Sequence, residues 1–284
     1  MSDLFSNRLQ KLRKPIRITT SNLLAIVWGL IVIFPFYLVV ITALKDPGTI
    51  VIDRLSPPDV WHWENLLIAW QKGHFSVYFK NSVVVTTLTV GFTLFFSFLA
   101  AYAFARMSFP GKNLLYLIFM IGLAIPGDVL LIPMYYLLKN LKLTNTLWAL
   151  ILPGIGFGVV FAILILRSFI ETLPNEIMEA GIMDGCSEIQ LARHIVLPLC
   201  RPALLSLLIL NFMWNWNSFI WPVVLIQKDE WRTITVGLNF FQGRYLTNIP
   251  LLMAGTLIIA LPVVVIYILF QREFVKGIAA RAVK

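Results

Sequence analysis

Residues 179–198 read EAGIMDGCSEIQLARHIVLP and gather Glu179, Asp184, Glu188, Arg193 and His194 around Gly185. Carboxylates beside a histidine and an arginine are the groups of general acid–base chemistry. Three uses fit such a stretch: a catalytic site, a plain connector, or a docking surface for another polypeptide. The remaining residues do not complete a catalytic constellation. The only Gly-Lys pair, Gly111-Lys112, lacks the upstream glycine of a phosphate-cradling loop, and neither H-E-x-x-H nor G-x-S-x-G occurs. His62, His74 and His194 stand at no metal-ligand spacing from each other or from Cys186 and Cys200. The two cysteines read as small, semi-buried thiols. No catalytic, cofactor-binding or metal-binding residue is assigned, and the acids at 179–188 are better placed for contact than for chemistry.

The elements that must position them are apolar. Of the 284 residues, 59% are hydrophobic and 13% charged, against about 45–50% and 25% in soluble domains; mean hydropathy is +0.83. Six segments, at about 22–43, 82–104, 114–138, 147–169, 202–225 and 251–270, each reach the roughly 20 residues that cross a hydrocarbon core. They are too long and uniformly apolar for barrel strands. The expected fold class is an all-α integral membrane protein with six transmembrane helices. The third segment contains Pro126, Asp128 and Pro133, so a break or kink is predicted there. The net charge of +9 bears on topology rather than on nucleic acid. With the N-terminus inside, fourteen Lys and Arg fall on the cytoplasmic side and nine outside, the sign of the positive-inside rule. The expected layout is a basic cytoplasmic segment 1–21, a six-helix domain 22–270 with a cytoplasmic loop at about 170–201, and a basic cytoplasmic tail 271–284. The external segments are 44–81, 139–146 and 226–250; the first carries WHWENLLIAW, whose tryptophans suit a membrane interface.

Charge is nearly absent from the span centres, so no ion-coupling machinery is legible. Asp128 is the one candidate for lining a pathway; the alternative is a residue at the outer end of a kinked helix. Energy for any transport therefore points to another polypeptide. In the loop, Pro174-Asn175 can start a helix whose N-terminal end Glu176 and Glu179 favour, and Gly185 can end or bend it. A second helical piece, Ser187 to Val196, sets Ile189, Ala192 and Ile195 on one face, and Pro198 and Pro202 close it. The result is an L-shaped projection; an amphipathic connector on the membrane surface is the alternative. In the fifth span, Asn211, Asn215, Ser218 and Pro222 fall within about 60° of one another on a helix. Trp214, Asn217 and Trp221 adjoin them. This polar stripe suits a hydroxyl-rich solute, or else bridges to neighbouring helices with the tryptophans as interface anchors. Gly154 and Gly158 form a GxxxG, a close-packing signal.

E-A-G-x-x-D-G followed by I-V-L-P resembles the cytoplasmic loop of binding-protein-dependent ABC importer permeases, E-A-A-x-x-D-G-A ending in I-x-L-P. Glu179, Ala180, Asp184, Gly185, Ile195, Leu197 and Pro198 match in register. Gly181 and Cys186 replace alanines and Ala192 a common phenylalanine. WNSFIWP resembles the W-N-E-F-L-W-P of carbohydrate-type permeases, with Ser218 for Glu. TITVGLNFFQGRY resembles their next external stretch, and LPVVVIYILFQREFVKGIAARAVK their closing helix and tail. The chain is thus similar to the second permease subunit of maltose-type sugar importers. The resemblance implies the type I ABC importer permease architecture and a bacterial or archaeal cytoplasmic membrane. It implies as partners a second, usually different, permease subunit, two ATPase subunits holding ATP and magnesium, and an extracytoplasmic binding protein that delivers a carbohydrate. No cofactor is implied on this chain. Glu179, Ala180, Gly181, Asp184, Gly185 and Pro198 would couple to the ATPase. Asn211, Trp214, Asn215, Asn217, Ser218 and Trp221 would line the pathway. Gln242, Gly243, Arg244, Tyr245 and Asn248 would meet the binding protein, with an ordinary loop as the alternative. Gln271, Arg272, Lys276 and Lys284 would reach the ATPase, with a positive-inside anchor as the alternative. Two rivals are a self-sufficient secondary transporter or channel, and a membrane scaffold that docks a cytoplasmic enzyme.

Overall fold

A computed structural model describes the backbone of residues 2–53, 55–242 and 247–282, and the side chains of 20–50, 53, 55–242 and 247–271. The described chain is built from helices; its β pairing is an isolated antiparallel bridge between Gln242 and Thr247. Among the described residues four helices are long and apolar enough to cross a membrane: α1 (Ser2–Ala43, apolar from Thr20), α3 (Phe75–Arg106), α6 (Trp148–Glu171) and α11 (Ile249–Ala282, apolar to Gln271). Between α1 and α3 lies the short α2 (Glu64–Lys72). Two bent pairs bring the number of candidate spans to six.

The first bent pair is α4 (Lys112–Leu123) and the stretch Gly127–Asn140, which includes α5 (Leu131–Asn140); the two meet at 91°. The predicted break falls at Pro126, which has no N–H to continue the ladder. Asp128 sits exposed in the 3₁₀ turn Gly127–Leu130 that follows. The second pair is α8 (Glu188–Leu199) and α9 (Arg201–Trp216), bent by 72°. The fifth apolar segment, expected to be continuous over 202–225, stops at Trp216 and resumes as α10 (Ile220–Leu225). Pro222 accounts for the break. In an unbroken helix the Ser218 carbonyl would accept from the N–H of residue 222, which proline lacks; here the Thr235 hydroxyl donates to that carbonyl at 2.6 Å.

The chain forms two compact units, Met1–Ala69 with Phe241–Leu257, and Trp70–Phe240 with Ile258–Lys284. In the first, the last carbonyls of α1 need donors. Buried Asn65 of α2 donates its Nδ2 to Ala43 O and Lys45 O, both at 3.0 Å. In the second unit, α3 packs along α6 and α9. Gly154, Gly158 and Ala162 of α6, spaced by four, let α3 approach closely. A methyl added at Gly154 would stand 2.8 Å from Thr89 Cγ2, and one at Gly158 2.9 Å from Thr93 Cγ2. Towards one end the same interface becomes an apolar core of Phe98, Ala101, Leu166, Ile170, Ala192, Val196, Cys200 and Leu207.

Candidate functional site

The loop after α6 folds into two helices with a glycine corner. Pro174 is the residue before α7 (Asn175–Met183). Asp184 follows its last turn, and Gly185 adopts φ +80°. Only glycine takes this left-handed state freely. The Cys186 amide donates to Gly181 O at 3.0 Å and the Gly185 amide to Ile182 O at 2.9 Å, closing the helix. Ser187 then starts α8 with a capping box: its hydroxyl accepts from the Gln190 amide and the Gln190 side chain accepts from the Ser187 amide.

α8 is not the uniform helix expected over Ser187–Val196. Leu191–Val196 is a π turn, and the helix continues through Pro198 to Leu199. Proline at 198 cannot pair with the His194 carbonyl and would clash with it; widening the preceding turn relieves both problems. The wider turn changes the face. Ala192, Val196 and Cys200 are buried, whereas Ile189, expected beside Ala192, is 79% exposed.

α7 lies against α8 through Gly181. A methyl there would meet Leu191 Cδ2 at 2.5 Å and Ile195 Cδ1 at 2.8 Å. Met178 is buried on the same face. The opposite face carries Ile182, Met183 (86% exposed) and, nearby, exposed Glu179, Ala180, Asp184 and Gly185. Pro198 is exposed as well. Among the described residues neither Glu179 nor Asp184 is part of an ion pair.

Two residues absent from the sequence-based set bind this loop to the spans. Tyr102 of α3 donates its hydroxyl to Glu188 Oε2 at 2.6 Å. Arg106, one turn on, donates Nη2 to the Ile170 and Leu173 carbonyls, both at 2.7 Å, and Nη1 to the Asn175 side chain. Its guanidinium therefore serves the orphan carbonyls at the end of α6 and holds the first residue of α7 at once. Tyr102 and Arg106 are four apart at the end of an apolar helix, but their partners lie 64 to 86 residues away and leave no local pattern. Arg106 alone was legible as a topology charge.

A second constellation sits between α3, α6, α9 and α10. A cavity of about 230 Å³ is lined by Phe157, Trp214, Trp221, Asn211, Asn215 and Ser218, with Gly154 and Gly158 on its wall. Five of the six predicted pathway residues meet there. Asn217 does not; it is exposed and donates Nδ2 to Met213 O at 2.9 Å. The helix break brings Ser218 and Trp221 to the cavity, not the continuous 100° stripe. Asn211 and Asn215 engage their Nδ2 groups at 2.9 and 2.8 Å with the carbonyls of Leu207 and Asn211, four residues back. Behind Gly154 and Gly158 stands a hydroxyl stripe of α3, Thr86, Thr89 and Thr93, buried and without hydrogen-bond partners. The spacing Ser82, Thr86, Thr89, Thr93, Ser97 is helical and was readable in the sequence. On another side the loop after α10 is held to α3: Asn81 Nδ2 donates to the carbonyls of Glu230 and Arg232, both at 2.9 Å, and the Ile234 amide donates to Ser82 Oγ at 2.8 Å.

The other predicted contacts are dispersed. Gln242 is exposed, and Asn248 accepts the Leu251 amide at 3.1 Å as a cap of α11. Gly243, Arg244 and Tyr245 lie outside the described residues. Gln271 is exposed and donates to Ile268 O within α11. Arg272 and Lys276 continue that helix, their side chains outside the description, and Lys284 lies beyond it.

Residues 93–278 match the family described as "Binding-protein-dependent transport system inner membrane component". The chain is 37% identical over 251 residues to the probable ABC transporter permease protein YurM of Bacillus subtilis, covering 88% of this chain and 83% of that one. It is 32% identical to the diacetylchitobiose uptake system permease protein NgcG of Streptomyces coelicolor (91% and 86% covered). It is 34% identical to the arabinooligosaccharides transport system permease protein AraQ of Halalkalibacterium halodurans (86% and 83%). Among solved structures, a chain of a bacterial ABC transporter involved in import of the acidic polysaccharide alginate superposes with a TM-score of 0.79, covering 92% of this chain and 97% of that one at 20% identity. That likeness is one of fold.

Proposed function

The chain belongs to the family of binding-protein-dependent transport system inner membrane components, and from that premise we propose that it forms, with a second permease subunit, the membrane path of an ATP-driven carbohydrate importer. The cargo class is inferred from relatives such as NgcG and AraQ. A binding protein outside delivers the sugar, and two ATPase subunits inside hold ATP and magnesium. Both termini and the 170–201 loop lie on the cytoplasmic side of a bacterial or archaeal inner membrane.

The observation that carries the reading is α7. One face packs on α8 through Gly181 and Met178, and the other leaves Ile182 and Met183 exposed beside Glu179 and Asp184. An apolar tip flanked by carboxylates that form no ion pair among the described residues is the shape of a helix meant for another protein's groove. In this reading Glu179, Ala180, Gly181, Asp184, Gly185 and Pro198 form the docking lever. The bonds from Arg106 and Tyr102 make it rigid with α3 and α6, so that closure of the ATPase pair displaces spans rather than bending a loop. Asn211, Trp214, Asn215, Ser218 and Trp221 line part of the sugar path. Gln242, Gly243, Arg244, Tyr245 and Asn248 would meet the binding protein, and Gln271, Arg272, Lys276 and Lys284 the ATPase.

The test is reconstitution of the whole complex with candidate binding proteins, measuring ATP hydrolysis and uptake with sugars, peptides and amino acids. Stimulation by an oligosaccharide is expected. Stimulation by peptides or amino acids with none by any sugar overturns the cargo class, and transport by this chain alone under an ion gradient overturns the importer reading.

A further inference from the structure

The cavity between α3, α6, α9 and α10 has a chemical bias that goes beyond a polar path. Each asparagine on its wall gives one of its two amide hydrogens to a backbone carbonyl. A methyl added at Gly154 would stand 2.9 Å from Asn215 Oδ1, and one at Gly158 2.7 Å from Asn211 Oδ1; both oxygens thus lie over the glycine wall. Asn211 is 1% exposed and its Oδ1 has no partner. Thr233, 6% exposed, also lines the cavity with an unpartnered hydroxyl. No lining side chain is charged. The donors on the wall are neutral as well, from the indoles of Trp214 and Trp221, the Ser218 and Thr233 hydroxyls and the second amide hydrogens of the asparagines, and Phe157 packs edge-on against Trp221 at 5.5 Å between centroids.

Such a site suits a neutral guest that exchanges hydrogen bonds and presents apolar C–H faces to aromatic rings. A sugar hydroxyl donates and accepts. A carboxylate or phosphate would lose its water here and find no cation, the costly case of an unpaired charge. We propose that this cavity is a charge-free subsite for an uncharged, hydroxyl-bearing unit of the cargo, and that it excludes uronate and phosphorylated sugars from the path. This rests on the carbohydrate-import reading and names the substrate class within it. The volume of about 230 Å³ lies below the roughly 300 Å³ at which drug-sized pockets begin. It suits one sugar unit at a time.

The experiment uses the complete complex in proteoliposomes with its binding protein. A neutral trisaccharide panel is compared with trimers of uronic acid of the same length. Neutral uptake is expected to exceed uronate uptake by at least about tenfold, since leaving one hydrogen-bonded charge unpaired costs more than the 1.4 kcal/mol that tenfold represents. Asn215→Leu removes an acceptor and should cut neutral uptake severalfold, while sugar affinity measured on the isolated binding protein is unchanged. Thr233→Val, with little change of shape, should lower it in the same direction and covers the case in which the leucine variant fails to insert. Uronate uptake equal to neutral uptake overturns the proposal, as does wild-type flux in whichever variant inserts. No uptake of either sugar class, with peptide uptake intact, overturns the parent reading instead.

Discussion

Consider Tyr102→Phe, which removes one oxygen and leaves the ring in place. The lost bond runs from the phenol to Glu188 Oε2 at 2.6 Å, the short distance of a charge-assisted O–H···O contact. Hydrogen bonds to charged groups contribute about 1.5–3 kcal/mol. Glu188 is exposed and water can replace the phenol, whereas Tyr102 is 6% exposed, so the lower figure applies. About 1.5 kcal/mol is slightly more than a tenfold change in the equilibrium between α8 docked on α3 and α8 released. Amides of Leu191–Val196 that exchange through this local opening should therefore exchange about tenfold faster, with the centre of α3 unaffected. Hydrogen exchange by mass spectrometry on the assembled complex reads this directly. Glu188→Gln keeps the shape but loses the charge and should give a smaller increase. The double variant should exchange no faster than Tyr102→Phe, because the interaction is already gone. In transport, the single variant should move less sugar per ATP. Exchange within about twofold of wild type in a correctly inserted Tyr102→Phe complex, or full additivity with Glu188→Gln, would refute the idea that this bond ties the loop to the span.

Four other substitutions test the neighbouring contacts. Gly185→Pro removes the amide that bonds Ile182 O and cannot adopt φ +80°; the subunit should insert but fail to retain or couple the ATPase pair, and wild-type coupling would sink the role of the corner. Arg106→Lys replaces a fork serving Ile170 O, Leu173 O and Asn175 by a point charge; a loss of about 1–2 kcal/mol in thermal unfolding of the complex is expected, and no loss would show that the fork is replaceable. Two glycine-to-alanine changes should part company. Gly158→Ala drives a methyl to 2.7 Å from Asn211 Oδ1 and 2.9 Å from Thr93, in a helix contact that is packed on both sides, and should cost about 1–3 kcal/mol. Gly181→Ala restores the letter found in the permease motif and meets only the ends of Leu191 and Ile195, which can turn aside; melting and coupling should stay close to wild type. Equal losses in both would show that the α7–α8 contact is as rigid as the span contact.

How far the sequence carried this reading depended on whether the signal was periodic or covalent. Long apolar runs announced the spans, and Pro126 announced the 91° bend, because proline's missing N–H acts on its own helix wherever that helix lies. Pro198 and Pro222 carry the same signal, yet their outcomes were not legible. One opens a π turn and continues; the other ends α9 and starts α10. What separates them is the partner offered to the orphaned carbonyl: Thr235, seventeen residues away in sequence, takes the Ser218 oxygen. Distance in sequence hid Tyr102–Glu188 and Arg106–Leu173 for the same reason, since a pair 86 or 67 residues apart leaves no local pattern. The pathway residues were found by an argument only half valid. The 100° rule holds for Asn211 and Asn215 within α9, and fails for Ser218 and Trp221, which the break delivers to the same cavity by another route. The missed Thr86–Thr89–Thr93 stripe shows the converse. Its period was readable, but its meaning required Gly154 and Gly158 opposite, where the absence of two methyl groups lets α3 hydroxyls stand directly behind a wall of asparagine oxygens. A GxxxG read alone says only that something comes close. Read with the hydroxyls and amides that fill the space, it says that what comes close is polar, and that the path beside it is lined by neutral polar groups.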